Sequence, residues 1–187
     1  IQWDTLSGGA GNDTFNITSG VDTITDLTTG DILVVSSGAE ANAIDISQFV
    51  ATSATSNSGV AKLTAGSAGS TITVTNSTSG AYNLFGGSGI DILTGDADTD
   101  TLRGHGSGDI LDGAGGSDTL TGDSGDDTFK VTSGTDLVTD LSTGDILVVS
   151  SGATVNATNI SNFVATSATS NRGVANLTAG SSGSTIA

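Results

Sequence analysis

Aspartates recur every nine residues through the second half of the chain: Asp91, Asp100, Asp109, Asp118, Asp127, Asp136 and Asp145. Seven in unbroken steps are not an accident of composition. Of the 20 acidic residues, 19 are Asp and Glu40 is the single Glu. A merely solvated acidic face would mix the two, and Glu is the better helix former. Asp has the short arm that suits turns and tight metal sites. The chemistry on offer is therefore that of carboxylates held at turns.

Other chemistries fit poorly. Paired carboxylates can hydrolyse glycosides, but there they form one pair and here a ladder. His105 is the only histidine and Cys is absent, so neither a zinc or transition-metal site nor a believable Ser-His-Asp triad can be assembled. His105 stands at the second place of a turn, where a side chain faces solvent. The GGAGND stretch at Gly8 lacks the Lys-Ser/Thr of a phosphate loop, and its acidic surroundings would repel phosphate. Trp3 reads as packed in a strand. The N-x-Ser/Thr sequons at Asn16, Asn76, Asn156, Asn159 and Asn176 read as composition.

The positioning elements follow from the blocks around each Asp. From Gly86 the chain reads GGSGIDILT, GDADTDTLR, GHGSGDILD, GAGGSDTLT, GDSGDDTFK. Each block has Gly first, Asp sixth and a large apolar residue eighth: Leu93, Leu102, Leu111, Leu120 and Phe129. Asp98 and Ser107 replace Gly at the fourth place, and Asp96, Asp112, Asp123 and Asp126 are additional acids. VTSGTDLVT and DLSTGDILV stay in register without the leading Gly. Near the start, GGAGNDTFN carries Asp13 in a single full block, with Asp4, Asp22 and Asp31 in weaker register.

A longer period of 114 residues encloses the short one: Thr5–Thr73 aligns without a gap on Thr119–Ala187, with about 50 of 69 positions identical. IQWD stands at the start where the later copy has GGSD, and the second copy stops partway, so a longer tandem array with both ends missing is expected. The net charge of -16, with few large apolar groups, would ordinarily suggest disorder, which strict periodicity argues against. It also opposes binding to nucleic acid or an anionic membrane. No apolar run approaches the roughly 20 residues of a membrane helix, and no signal-peptide pattern is read at the start.

The blocks resemble the repeats-in-toxin, haemolysin-type calcium-binding nonapeptide GGxGxDxUx, a pattern already known to mark β-helices. The resemblance implies an all-β fold: a parallel β-roll or β-solenoid in which six residues turn, three form a strand, and two nonapeptides complete a coil. Residues 18 apart then stack at about 4.8 Å, pairing Asp91 with Asp109, Asp109 with Asp127 and Asp100 with Asp118. Bare, such a pair repels by roughly 3 kcal/mol at an effective dielectric of about 20. A Ca2+ ion between them reverses the sign, taking six to eight oxygens, carbonyls included. The resemblance thus implies calcium ligands at Asp91, Asp100, Asp109, Asp118, Asp127, Asp13 and Asp136. It implies carbonyls from Gly86, Ser88, Gly95, Ala97, Gly104, Gly106, Gly113 and Gly115.

The expected organisation is the end of a first calcium β-roll over 1–34, a metal-free β segment over 35–85, the main roll over 86–148 and a second metal-free segment over 149–187. The metal-free parts carry Thr- and Val-rich strands such as GVAKLTAG and STITVTNS, which read as further coils or a small β-sandwich. Residues 43–54 read as a short helix, and Tyr82, at a sixth place, as a cap on the metal column. The expected function is an extracellular calcium-binding structural array in a surface layer, sheath or stalk, exported by type I secretion. Its expected partners are calcium ions, other copies of itself or cell-surface components, and it is read as no enzyme. The alternative is a folding and secretion module of a larger enzyme, toxin or adhesin. Ice binding ranks below both, because the outward turn residues are Ser, Ala, Gly and Asp.

Overall fold

Eighth-place side chains decide the architecture. Strand residues alternate between faces, so a strand triplet such as Ile110–Asp112 sends one residue inward. Leu93, Leu102, Leu111, Leu120 and Phe129 are all fully buried, and a three-residue strand gains its burial only by stacking on its neighbours. The structure is a computed structural model and describes residues 2–180 and 184–187. It is an all-β parallel solenoid of about 9 turns, and every strand pair is parallel. Among the described residues there is no helix, and so none long and apolar enough to cross a membrane.

One face is a 10-stranded sheet running from Thr5–Leu6 through Val21–Ile24, Glu40–Ile46, Val60–Ala65, Tyr82–Phe85, Thr101–Gly106, Thr119–Ser124, Thr135–Val138 and Thr154–Ile160 to Val174–Ala179. The opposite face is a 3-stranded sheet of Thr14–Ile17, Ile32–Val35 and Ser56–Asn57, followed by a 7-stranded sheet from Gln48–Val50 to Ser170–Asn171. The core is one thin column of apolar side chains between the faces.

Coil length changes along the chain. Leu84 pairs with Leu102, Leu102 with Leu120, and Phe129 with Leu147, each a step of 18 residues. In the part without nonapeptides, Ile24 pairs with Ala43, Ala43 with Leu63 and Leu63 with Leu84, steps of 19, 20 and 21. The Thr- and Val-rich segments thus continue the solenoid, which resolves the choice between coils and a sandwich.

Two expectations are corrected. Residues 43–54 form no helix: 43–46 and 48–50 belong to the strands Glu40–Ile46 and Gln48–Val50, and 51–54 lead into a turn. A register shift between Ala43 and Ile46, with Asp45 at φ +55°, inserts one extra residue, so the buried Ala43, Ile46 and Phe49 fall three apart and imitate a helix. Trp3 is not packed but 75% exposed; it holds the fifth place of its block, which faces outward, as Ile90 does at 66%.

Leu111 lies in the middle of the ladder at 0% exposure. Leu111→Ala is expected to cost about 2–5 kcal/mol, measured by denaturant unfolding in saturating calcium.

Candidate metal centre

The turns bring the sixth-place carboxylates inside the molecule. Asp91, Asp100, Asp109, Asp118, Asp127, Asp136 and Asp145 are all no more than 2% exposed. One recurrent bond connects them from coil to coil. The N–H of Asp91 donates to Oδ1 of Asp109 at 2.8 Å, that of Asp109 to Asp127 at 2.8 Å, and that of Asp127 to Asp145 at 2.9 Å. On the other edge Asp100 donates to Asp118 at 2.8 Å and Asp118 to Asp136 at 3.1 Å. Near the start, Asp4 donates to Asp22 at 3.1 Å and Asp13 to Asp31 at 2.9 Å. Two carboxylate columns thus run along the two edges of the solenoid.

Oδ1 is therefore satisfied wherever an N–H of the preceding coil reaches it, while Oδ2 is left bare in several blocks. Buried Oδ2 atoms of Asp13, Asp109, Asp118 and Asp136 have no hydrogen-bond partner, nor does Oδ1 of Asp91. An unpaired buried carboxylate oxygen costs the full desolvation penalty. The unpaired oxygens of Asp13, Asp109 and Asp118 look onto the first-place glycines of their own blocks, Gly8, Gly104 and Gly113. A Cβ on Gly104 would strike Asp109 Oδ2 and come within 2.9 Å of the Gly122 carbonyl oxygen. A Cβ on Gly95 would strike Asp100 Oδ2 and lie 2.6 Å from the Gly113 oxygen; one on Gly86 would strike the Gly104 oxygen and lie 2.7 Å from Asp91 Oδ2. The missing side chain leaves a cradle lined by a carboxylate oxygen and a carbonyl of the next coil. Among the described residues no three His, Asp or Glu side chains gather at one point, so main-chain oxygens must complete any coordination shell. All the donors are hard oxygens, the set that suits Ca2+.

The turns take two forms. Those starting at Gly104, Gly113 and Gly122 place their second and fourth residues in the left-handed region: His105 and Ser107, Ala114 and Gly116, Asp123 and Gly125. Those starting at Gly86 and Gly95 do not, and there the second-place N–H of Gly87 or Asp96 donates at 2.7 Å to Oδ2 of its own Asp91 or Asp100. The expected first-place carbonyls of Gly104 and Gly113 line the cradles. Ser88, Ala97, Gly106 and Gly115, at third places, stack along the outer rim, where the Ser88 carbonyl accepts the Ser107 hydroxyl at 2.8 Å. Gly122 and Asp31 were not among the sequence candidates; the same 18-residue step, counted forward from Gly104 and Asp13, reaches both.

The remaining acids have other partners. Asp123 accepts Arg103 Nε and Nη2 at 2.5 and 3.0 Å, with Nδ1 of the half-exposed His105 at 3.3 Å. Asp112 accepts the Thr132 hydroxyl at 2.8 Å. Tyr82 keeps the column's backbone bond, donating its N–H to Asp100 Oδ1 at 2.7 Å, while its buried hydroxyl meets Ser77 Oγ at 2.8 Å. Burial pushes that hydroxyl up to about 12, so the position carries no charge.

Residues 4–25, 80–111 and 104–138 match the family model described as the RTX calcium-binding nonapeptide repeat (4 copies). The chain carries RTX calcium-binding repeats in a tandem array. Such repeats bind calcium ions, and their β-roll is a non-catalytic structural fold. No curated protein and no solved structure matches the chain.

Without metal, the RTX ladder must take up protons. Burial lifts Asp100 and Asp127 to about 6 and Asp109 to about 7, with Asp91 and Asp127 adding to the rise at Asp109. Asp118 is raised as well, by burial first and then by Asp136 beside it. A folded-state value above the unfolded value of about 3.9 means that the fold binds extra protons in that window. The stability these protons contribute to the metal-free fold is therefore present in full below about pH 4 and is lost as the pH rises through about 6 to 7. In chelator, the denaturation midpoint is expected to be higher at pH 4.5 than at pH 7.5, with added calcium restoring stability at pH 7.5. Gly104→Ala, which puts a methyl into a cradle, is expected to cost about 1–3 kcal/mol and to raise the calcium concentration at the folding midpoint.

Proposed function

We propose that the chain is an extracellular calcium-folded structural array, a stretch of surface layer, sheath or stalk. The observation that carries the reading is that the 114-residue repeat spans a whole number of coils. Counting the ten-stranded face from Ile24 through Ala43, Leu63, Leu84, Leu102 and Leu120 to Val138 takes six coils. Ile24 and Val138 are equivalent residues of the two copies. Successive repeats therefore stack in phase, each returning its aspartates to the same edges, and the array extends as one straight rod by roughly 29 Å per repeat at about 4.8 Å per coil.

In this reading residues 86–148, with the end of an earlier ladder in 1–34, hold the ions, and 35–85 and 149–187 are metal-free spacers. The ligands are Asp91, Asp100, Asp109, Asp118, Asp127, Asp136 and Asp13, with first-place carbonyls beside them. RTX repeats are typical of type I secreted extracellular proteins. Calcium, scarce inside a cell and millimolar outside, would fold the chain after export, because a site absent from the unfolded chain couples binding to folding. The protein itself performs no catalysis.

Circular dichroism during a calcium titration, with magnesium as control, should show a cooperative rise in β signal with calcium alone. Small-angle scattering on chains carrying increasing numbers of the repeat should then show length growing by about 29 Å per added repeat. A fold indifferent to calcium would sink the calcium reading; calcium folding without the regular growth in length would favour the secretion-module reading.

A further inference from the structure

In both copies the ladder runs into the same turn, Asp26–Asp31 and Asp140–Asp145, and that turn is built differently from the glycine-led ones. We infer that this DL[Ser/Thr]TGD turn is a terminator, which closes the calcium column by supplying from the protein the contacts an ion would make. The inference rests on the calcium reading above and fixes where the column stops.

Three features carry it. First, the sixth-place Asp has no orphaned oxygen. Asp145 Oδ2 accepts the N–H of Ser142 at 2.7 Å and its hydroxyl at 3.1 Å; Asp31 Oδ2 accepts the N–H and hydroxyl of Thr28 at 2.8 and 3.2 Å. In the glycine-led blocks of Asp13, Asp109 and Asp118 the same atom lacks a partner, and in those of Asp91 and Asp100 it accepts a single backbone N–H. Two fixed donors on that oxygen occupy the lone pairs a cation would use.

Second, the first place holds a carboxylate instead of a bare glycine. Asp140 accepts the N–H groups of Gly122 and Asp123 at 3.1 and 2.7 Å, and Asp26 accepts those of Gly8 and Gly9 at 3.1 and 2.8 Å. At Gly86 and Gly95 the first-place amide instead donates to a main-chain carbonyl of the next coil, Arg103 O at 2.7 Å or Asp112 O at 2.9 Å. Around the space at Gly122 the three nearest atoms are Oδ2 and Cγ of Asp127 and a Phe129 ring carbon, with no oxygen from the next coil among them.

Third, the second place fills the interior. Leu27 and Leu141 are buried at 1% and 0% exposure, whereas His105 and Asp123 at that place of glycine-led turns face outward. An apolar side chain there adds core contacts where calcium would otherwise hold the turn in shape. The turn is thus stable without an ion and ends the column at Asp127, so that Asp145 and Asp31 join the ladder by their backbone bond alone.

The test has two arms on the full chain. In a crystal structure of the wild-type protein grown in calcium, ions are expected between Asp91 and Asp109 and between Asp109 and Asp127, with none between Asp127 and Asp145. By calorimetric titration, the double variant Asp140→Gly/Ser142→Gly is expected to bind about one more calcium per chain than wild type, a glycine-led turn being open to an ion. An ion between Asp127 and Asp145 in the wild type overturns the inference, as does a folded double variant whose stoichiometry is unchanged or lower. A wild-type chain that binds no calcium at all overturns the calcium reading instead.

Discussion

A carboxylate removed from water needs a partner for each oxygen, and a β-solenoid stacks such groups one coil apart along each edge. The fold meets half of this demand with its own backbone: the N–H of one sixth-place Asp always reaches Oδ1 of the Asp in the next coil. What happens at Oδ2 distinguishes one part of the molecule from another. In the glycine-led blocks of Asp109 and Asp118 the oxygen is left bare beside a cradle that a cation can enter. At Tyr82 the charge is removed altogether, and at Asp31 and Asp145 local donors saturate it.

Coil length obeys the same constraint. Carboxylates can share an ion only while successive coils superpose, and in the ladder the coil is held at 18 residues. Where no ladder exists the coil lengthens, admits a register shift near Asp45, and relies on apolar filling by Ile46, Phe49, Ile72 and Val74. The two styles alternate without breaking the stack, because all coils contribute to the same ten-stranded face. Small coil cores are individually weak, since each strand triplet buries one large side chain, so the molecule gains stability by repetition.

Charge explains why metal and fold are coupled. A net charge of -16 opposes compaction, and the stacked aspartates concentrate that repulsion along two lines. The four basic residues cannot offset it: Lys62 pairs with Glu40 and Arg103 with Asp123, both away from the columns. Protons or divalent cations are the agents left to neutralise the interior.

The sequence by itself determined the period, the parallel coil, the inward eighth-place residue and the aspartate columns, because each depends only on spacing and on the alternation of a strand. It also singled out Gly104 and Gly113, whose carbonyl oxygens border the spaces beside Gly86 and Gly95. Tertiary structure alone decided the rest. The apparent helix at 43–54 was a bulged strand, since a register shift can turn a period of two into a period of three. The outward Trp3 depended on which place of the block faces solvent. The difference between Asp109 and Asp145, identical in spacing, came from which donors the neighbouring turn aims at Oδ2, and hydrogen-bond direction is not written in a nine-residue period.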